Sequence, residues 1–292
     1  MEVTEHLLGK YGKYLQQMPS FEGSSNLGEY MIPDNLKTIF SCIDLTSLNT
    51  TDSANSVQAF CDNLISFHRQ YPDLPLVAAV CVYPVFASVL KARIGKLDVK
   101  RAVVSAGFPS SQTFLDLKIL ETRKALELGA NEIDIVLSVG EFLEGNHELV
   151  MEEIKAIKSI MGDAFLKVIL ETGALVSTEN IWEASILSMA AGADFIKTST
   201  GKLSPAATPG AVWIMAHAIK AWYRETGIAV GLKPAGGIST TDDALVYYGI
   251  VKEVLGDEWL TPERFRIGAS RLANNLMSDL ADLEGRTYSK CF

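Results

Sequence analysis

From residue 37 onward, short β-branched runs alternate with helical patterns roughly every 30 residues, and this rhythm constrains the fold more than any other feature. Strand and helix in steady alternation need a parallel sheet with helices returning between the strands. Eight strand candidates are legible, at 38–45, 76–82, 101–107, 131–137, 166–172, 193–199, 228–234 and 265–269. Helical patterns follow each. Val150, Ile154, Ile157 and Met161 keep helical spacing, with Gly162 as a C-terminal stop. Residues 113–128 read as a helix ended by Gly129, and Thr208-Pro209 as an N-cap and first helical position. Eight such units without a break predict an α/β chain folded as a single (β/α)8 TIM barrel over 37–285. The alternative, a doubly wound open sheet, usually carries G-x-G-x-x-G after its first strand, and none is present. Residues 1–36 form a short N-terminal extension expected to pack on the barrel. Within it, 5–18 fit an amphipathic helix and 21–30 a turn-rich connection. Residues 286–292 are expected to form a flexible C-terminal tail.

A chain of 292 residues, 48% hydrophobic and 21% charged, is long enough for one barrel with a large core. Its 26 basic and 35 acidic residues leave a net charge of −9, which argues against nucleic-acid binding. Any phosphate ligand must therefore be held by a local positive site. The polar start lacks the apolar core of a signal peptide, and no run of 18 apolar residues occurs. Cys42, Cys61, Cys81 and Cys291 form no C-x-x-C pair. These features predict a soluble cytoplasmic protein that does not engage membranes.

Several charges sit inside predicted strands. Asp134 lies between Ile133 and Ile135; Lys167 and Glu171 share one face of their run; Asp44, Lys197 and Lys233 lie in three others. A barrel interior is packed and mostly apolar, so such groups must pair or ionise abnormally. A mutually satisfied ionic network that merely fills the barrel is one reading. Lys197, Lys233 and Asp134, however, fall near the C-terminal strand ends, where barrels keep their chemistry. A lysine nucleophile must be neutral, and desolvation together with a neighbouring cation lowers its pKa. Lys197 and Lys233, on successive strands, meet that requirement. One attacks a carbonyl while the other stays protonated, and Asp134 moves protons.

Thr198-Ser199-Thr200-Gly201-Lys202, Pro234-Ala235-Gly236-Gly237 and Gly268-Ala269-Ser270 end the last three strands. Glycine turns and a helix N-terminus after strands seven and eight are the usual phosphate site of a barrel. They predict a phosphorylated small molecule as ligand. His6, His68, His147 and His217 fall outside predicted strand ends, and no H-E-x-x-H or Cys/His cluster signals zinc. There is no G-x-S-x-G elbow. Cys81 reads as a buried structural thiol.

DLTSLN (44–49), CVYP (81–84), NEIDIVL (131–137), LKVILETG (166–173), GADFIKTSTGK (192–202), GLKPAGGI (231–238) and RIGAS (266–270) resemble the deoxyribose-phosphate aldolase family in order and spacing. FIKTSTGK and KPAGG together are highly specific. The resemblance runs from about residue 37 to about 276. It implies a class I aldolase on a TIM barrel, needing no metal or organic cofactor. The implied reaction is reversible cleavage of 2-deoxy-D-ribose 5-phosphate to D-glyceraldehyde 3-phosphate and acetaldehyde, within deoxyribonucleoside catabolism. By the same resemblance Lys197 is the Schiff-base lysine, Lys233 the lysine that perturbs it, and Asp134 the partner in proton transfer. Gly236, Gly237, Gly268 and Ser270 match the phosphate turns, and Lys202 a lysine near the phosphate. Thr198, Lys167 and Asp44 are expected to support substrate binding. Two departures stand out: Arg271 replaces a second serine common after GAS, and the chain ends in Phe292, with Tyr288 the nearest tail tyrosine. Self-association as a dimer or tetramer is also implied. Two other readings are another barrel Schiff-base lyase or transaldolase-like enzyme with a different donor, and a non-catalytic sugar-phosphate sensor.

Overall fold

The computed structural model describes residues 2–23 and 27–292. Met1 lies outside the described residues, as do Ser24, Ser25 and Asn26 of the expected turn-rich connection. The eight strands are β1 (Ile43–Thr46), β2 (Ala79–Val82), β3 (Lys100–Val104), β4 (Glu132–Val136), β5 (Phe165–Ile169), β6 (Phe195–Lys197), β7 (Gly231–Lys233) and β8 (Ile267–Ala269). The helices, in chain order, are α1 (Glu2–Gln16), α2 (Leu27–Tyr30), α3 (Pro33–Ser41), α4 (Ala54–Gln70), α5 (Ala87–Ile94), α6 (Leu115–Glu127) and α7 (Val139–Leu143). They continue as α8 (His147–Lys158), α9 (Thr172–Leu175), α10 (Thr178–Ala190), α11 (Pro209–Thr226), α12 (Thr241–Leu255) and α13 (Leu272–Glu284).

Each strand from β1 to β7 pairs in parallel with its sequence neighbour, and β8 pairs with β1. Parallel bridges Leu232↔Phe265 and Ala235↔Gly268 join β7 to β8 and close the barrel. Both faces of these strands are covered, so they read as nearly continuous buried runs; all five residues of β4 are buried. Ile133, Leu166, Val168, Ile196 and Leu232 belong to the main core, which the helix layer shares. A second small cluster, Leu48, Ala79, Cys81, Ala102 and Val104, packs separately on the β1–β3 side. Ala79, Cys81 and Ala102 are small side chains, beside the long charged ones of β5–β7 and Arg266.

Several strand expectations are too long at their ends. The run 38–45 is strand only from Ile43, because 33–41 is helix α3. Pro33 suits the first helical turn, and Leu36, Ile39 and Phe40 recur at helical spacing and are buried. That burial outweighs the β preference of Thr38 and Ile39. Likewise 228–230 precede β7 rather than belong to it. The expected N-cap of α11 is present: the Thr208 hydroxyl accepts from the Ala211 N–H at 3.2 Å.

The N-terminal segment lies against the helix layer. Tyr11 stacks on Trp222 at 5.6 Å, and Trp213 donates to the Pro19 carbonyl at 2.8 Å. The C-terminal residues pack on α4 and α13. Phe292 sits 5.2 Å from Phe67, and the backbone N–H groups of Cys291 and Phe292 donate to Asn274 Oδ1 at 3.0 and 3.2 Å.

Candidate active site

The alternation of inward positions on β4–β8 and β1 gathers seven charged side chains inside the barrel. Asp44, Glu132, Asp134, Lys167, Lys197, Lys233 and Arg266 are all at most 3% exposed. Lys197 and Lys233 stand at the same register position of β6 and β7. Both donate to Asp134 Oδ2 at 2.8 Å. Lys233 also lies 2.5 Å from Asp44 Oδ2. Lys167 bridges Asp44 at 2.9 Å, Glu132 at 2.5 Å and Asp134 Oδ1 at 3.3 Å. Below them, Arg266 donates to Asp44 Oδ1 at 2.6 Å and to Glu132 Oε1 at 2.8 Å, and its guanidinium lies 5.5 Å from the Phe195 ring.

Two glycines make this packing possible. A Cβ on Gly231 would stand 2.2 Å from the Phe195 ring, so only glycine leaves that ring its place. A Cβ on Gly268 would stand 3.2 Å from Lys233 Cε and 2.8 Å from Ala235 Cβ. Gly268 thus keeps the path of the Lys233 stem clear.

The electrostatics separate the lysines. Burial lowers the Lys197 pKa and the Lys233 cation lowers it further; Asp134 only partly opposes them. Burial also acts to lower Lys233, but Asp134 and Asp44 outweigh it and hold this lysine above its ordinary value. Lys167 is raised likewise, since burial is outweighed by Asp134, Asp44 and Glu132. Burial alone would raise Asp134, yet Lys167, Lys197 and Lys233 hold it well below the usual carboxylate range. Burial pushes the Cys81 thiol up.

Lys197 is the one member of this network that lines an open cleft, of about 200 Å³, at the C-terminal mouth of the barrel. Lys202, Gly236, Gly237, Gly268 and Ser270 line it too, with Arg271 and Thr200. Gly236 and Gly237 have φ of +89° and +82°, a left-handed backbone that glycine adopts without a Cβ clash. A Cβ on Gly236 would also strike Ala206 at 2.7 Å. Ser270 and Arg271 stand at the N-terminus of α13. Lys202 donates to the Leu48 carbonyl, and Thr200 is fixed by Glu171, which accepts from its N–H at 3.1 Å and its hydroxyl at 2.5 Å.

Other sequence-predicted residues sit behind the cleft. Asp134, Lys233, Asp44 and Lys167 form the buried network. Thr198 is buried and ties β6 to the end of β7, accepting from the Ala235 N–H at 2.9 Å and donating to its carbonyl at 3.1 Å. Tyr288 is on the α4–α13 surface, against Tyr71 at 4.8 Å and donating to Glu284 at 3.1 Å. Glu171, read as a face-mate of Lys167, adopts φ +55° just after β5 and points to Thr200 instead. Sequence reasoning missed Glu132 and Arg266. The signal was present: each is a charge inside an apolar strand run, at the same two-residue period that marked Asp134. A larger groove of about 620 Å³ on the outer surface, lined by Val85, Leu117 and Leu120, holds none of the predicted residues. Among the described residues, no helix is long and apolar enough to cross a membrane.

A closed barrel with an amine and glycine turns at its C-terminal mouth falls in the class of barrel aldolases. A family model described as DeoC/LacD family aldolase matches residues 38–248, and the chain belongs to that family. A deoxyribose-phosphate aldolase of Bos taurus is 42% identical over 258 residues, covering 85% of this chain and 79% of the bovine one. A solved structure from Coccidioides immitis superposes with a TM-score of 0.75 at 26% identity, covering 94% of this chain and 97% of that one. The deoxyribose phosphate aldolase of Aeropyrum pernix, described as a tetramer, gives a TM-score of 0.67 at 28% identity over 91% of this chain and 96% of its own.

Proposed function

We propose that this chain cleaves 2-deoxy-D-ribose 5-phosphate reversibly to D-glyceraldehyde 3-phosphate and acetaldehyde through a Schiff base on Lys197. The observation that carries the reading is the split between the two lysines. Lys197, lowered by burial and by Lys233, faces the cleft, whereas Lys233 is held protonated behind it. A neutral amine at the mouth and an ammonium beside it are the two states that iminium chemistry needs.

The neutral Lys197 amine adds to the C1 aldehyde of the open-chain sugar. Lys233 protonates the departing hydroxyl, which leaves as water and yields the iminium. Electrons of the C2–C3 bond then flow toward the iminium nitrogen, while the C3 hydroxyl loses its proton to the Lys233–Asp134 pair. Glyceraldehyde 3-phosphate departs. The same pair protonates C2 of the remaining enamine, and water hydrolyses the iminium to acetaldehyde, returning the proton and the free amine. Asp134 accepts from both lysines throughout and offsets the positive charge of the iminium. The phosphate is held by the Gly236-Gly237 turn, Gly268, Ser270 and the α13 N-terminus, with Lys202 alongside. Asp44, Lys167 and Thr198 support the site from behind by fixing Lys233, Asp134 and the β6–β7 strand ends.

Self-association as a dimer or tetramer, a cytoplasmic location and a role in deoxyribose-phosphate breakdown complete the reading. The tetramer from Aeropyrum pernix supports the first of these. Incubation with 2-deoxyribose 5-phosphate should release acetaldehyde and glyceraldehyde 3-phosphate in equal amounts, as read by coupled reduction of each aldehyde. Absence of both products from folded protein would overturn the assignment.

A further inference from the structure

Arg266 touches nothing in the cleft, yet it changes the charge count of the network behind Lys197. The buried group holds four cations, Lys167, Lys197, Lys233 and Arg266, and three carboxylates, Asp44, Glu132 and Asp134, linked by ion pairs from end to end. Charge balance in a dry interior is reached with one cation neutral. Arg266 cannot be that one, since a guanidinium does not lose its proton in a protein. Lys167 and Lys233 each contact two or more carboxylates. Lys197 contacts only Asp134, so it is the member that gives up its charge.

We propose that Arg266 is a positioning residue that keeps the Lys197 amine neutral, by supplying the permanent fourth cation from the far side of the barrel. It occupies one oxygen of Asp44 and both of Glu132, and so leaves less negative charge uncommitted toward the lysines. The assignment rests on the Schiff-base reading of Lys197. The groups facing Lys197 are Asp134 from β4, Lys233 from β7 and the Cys81 thiol from β2, with Lys167 of β5 on the other oxygen of Asp134. Asp44 and Glu132 stand one link further back, and Lys202 and Arg271 lie across the cleft. Without Arg266, three lysines face three carboxylates, and balance is reached with Lys197 protonated.

The test compares Arg266→Met, Arg266→Lys, Glu132→Gln and the double variant Arg266→Met/Glu132→Gln. Two quantities are followed against pH. One is kcat/KM for cleavage of 2-deoxyribose 5-phosphate. The other is the rate at which formaldehyde with cyanoborohydride methylates Lys197, located by peptide mapping, which reports the free amine without needing turnover. Arg266→Met should move the rising limb of both profiles up by on the order of one pH unit. Arg266→Lys should keep the wild-type limb. Glu132→Gln, which removes a carboxylate, should move the limb the other way. The double variant restores balance and should bring the limb back, which keeps the test open if Arg266→Met alone fails to fold. Movement of the labelling limb without the rate limb would support the role of Arg266 and count against Lys197 as the Schiff-base lysine. Unmoved labelling limbs in folded Arg266→Met and Glu132→Gln would overturn the inference.

Discussion

Lys197 and Lys233 occupy the same register position on neighbouring parallel strands and donate to one and the same carboxylate oxygen, Asp134 Oδ2, each at 2.8 Å. What differs is the second partner. Lys233 reaches Asp44 at 2.5 Å, and Lys197 reaches the cleft. One more carboxylate on one side divides two chemically identical side chains into an ammonium and a poised amine.

Removal of the amine should end turnover and also relieve the fold. With a lysine pKa lowered on folding, the unfolded chain binds more protons between the folded and unfolded values, so folding there works against protonation. Lys197→Met should therefore be inactive yet melt at or above the wild-type temperature, as read by calorimetry beside the activity assay. A variant that is both active and less stable would contradict this.

Asp134→Asn should do the reverse to stability. It leaves Lys167, Lys197 and Lys233 with Asp44 and Glu132 alone, and breaking a buried pair in this way costs about 3–5 kcal/mol. Denaturant unfolding should show that loss, together with a fall in kcat.

The pH dependence of stability follows from the carboxylates. Asp44 and Asp134 are both held well below the ordinary value of 3.8. Burial opposes this, and the surrounding lysines outweigh it. A carboxyl with a depressed folded pKa contributes stability that is complete above its unfolded pKa and is lost as pH falls through the folded one. Stability should hold down to about pH 4 and decline below it. Catalysis should fall on the same acid side but at higher pH, with kcat/KM rising as pH rises through the lowered pKa of Lys197. Chemical denaturation and initial rates across the same buffers check both.

The phosphate turns should act on binding rather than on chemistry. Ser270→Ala should raise KM for 2-deoxyribose 5-phosphate several-fold with little change in kcat. Rates with unphosphorylated 2-deoxyribose should be unaffected by it. An equal loss on both substrates would place Ser270 elsewhere in the reaction.

Gly231→Ala tests the packing under the network. Its Cβ would press on Phe195, the ring that lies beneath Arg266 and Lys167, at contact distances of 2.2–2.6 Å. Overpacking of this kind costs about 1–3 kcal/mol, and the variant should melt correspondingly lower.

Much of this was legible in the chain because a barrel repeats one simple unit. Eight runs placed eight strands, and charges inside those runs pointed to the interior. The failures have physical causes. Leu36, Ile39 and Phe40 bury a helical face that the short run TIF hides, so β1 begins at Ile43 rather than 38. Glu171 itself adopts φ +55°, and strict alternation fails there. Arg266 and Glu132 were readable by the rule that found Asp134. Their pairing across the barrel floor, and the bonds that tie Thr198 to Ala235, depend on register between strands that a linear pattern does not contain.

The most direct test of the central claim is borohydride reduction in the presence of 2-deoxyribose 5-phosphate, followed by peptide mass mapping. A reduced adduct on Lys197, in the peptide carrying FIKTSTGK, is the expected result. An adduct on Lys233, or none on folded protein, would contradict the assignment of Lys197 as the nucleophile.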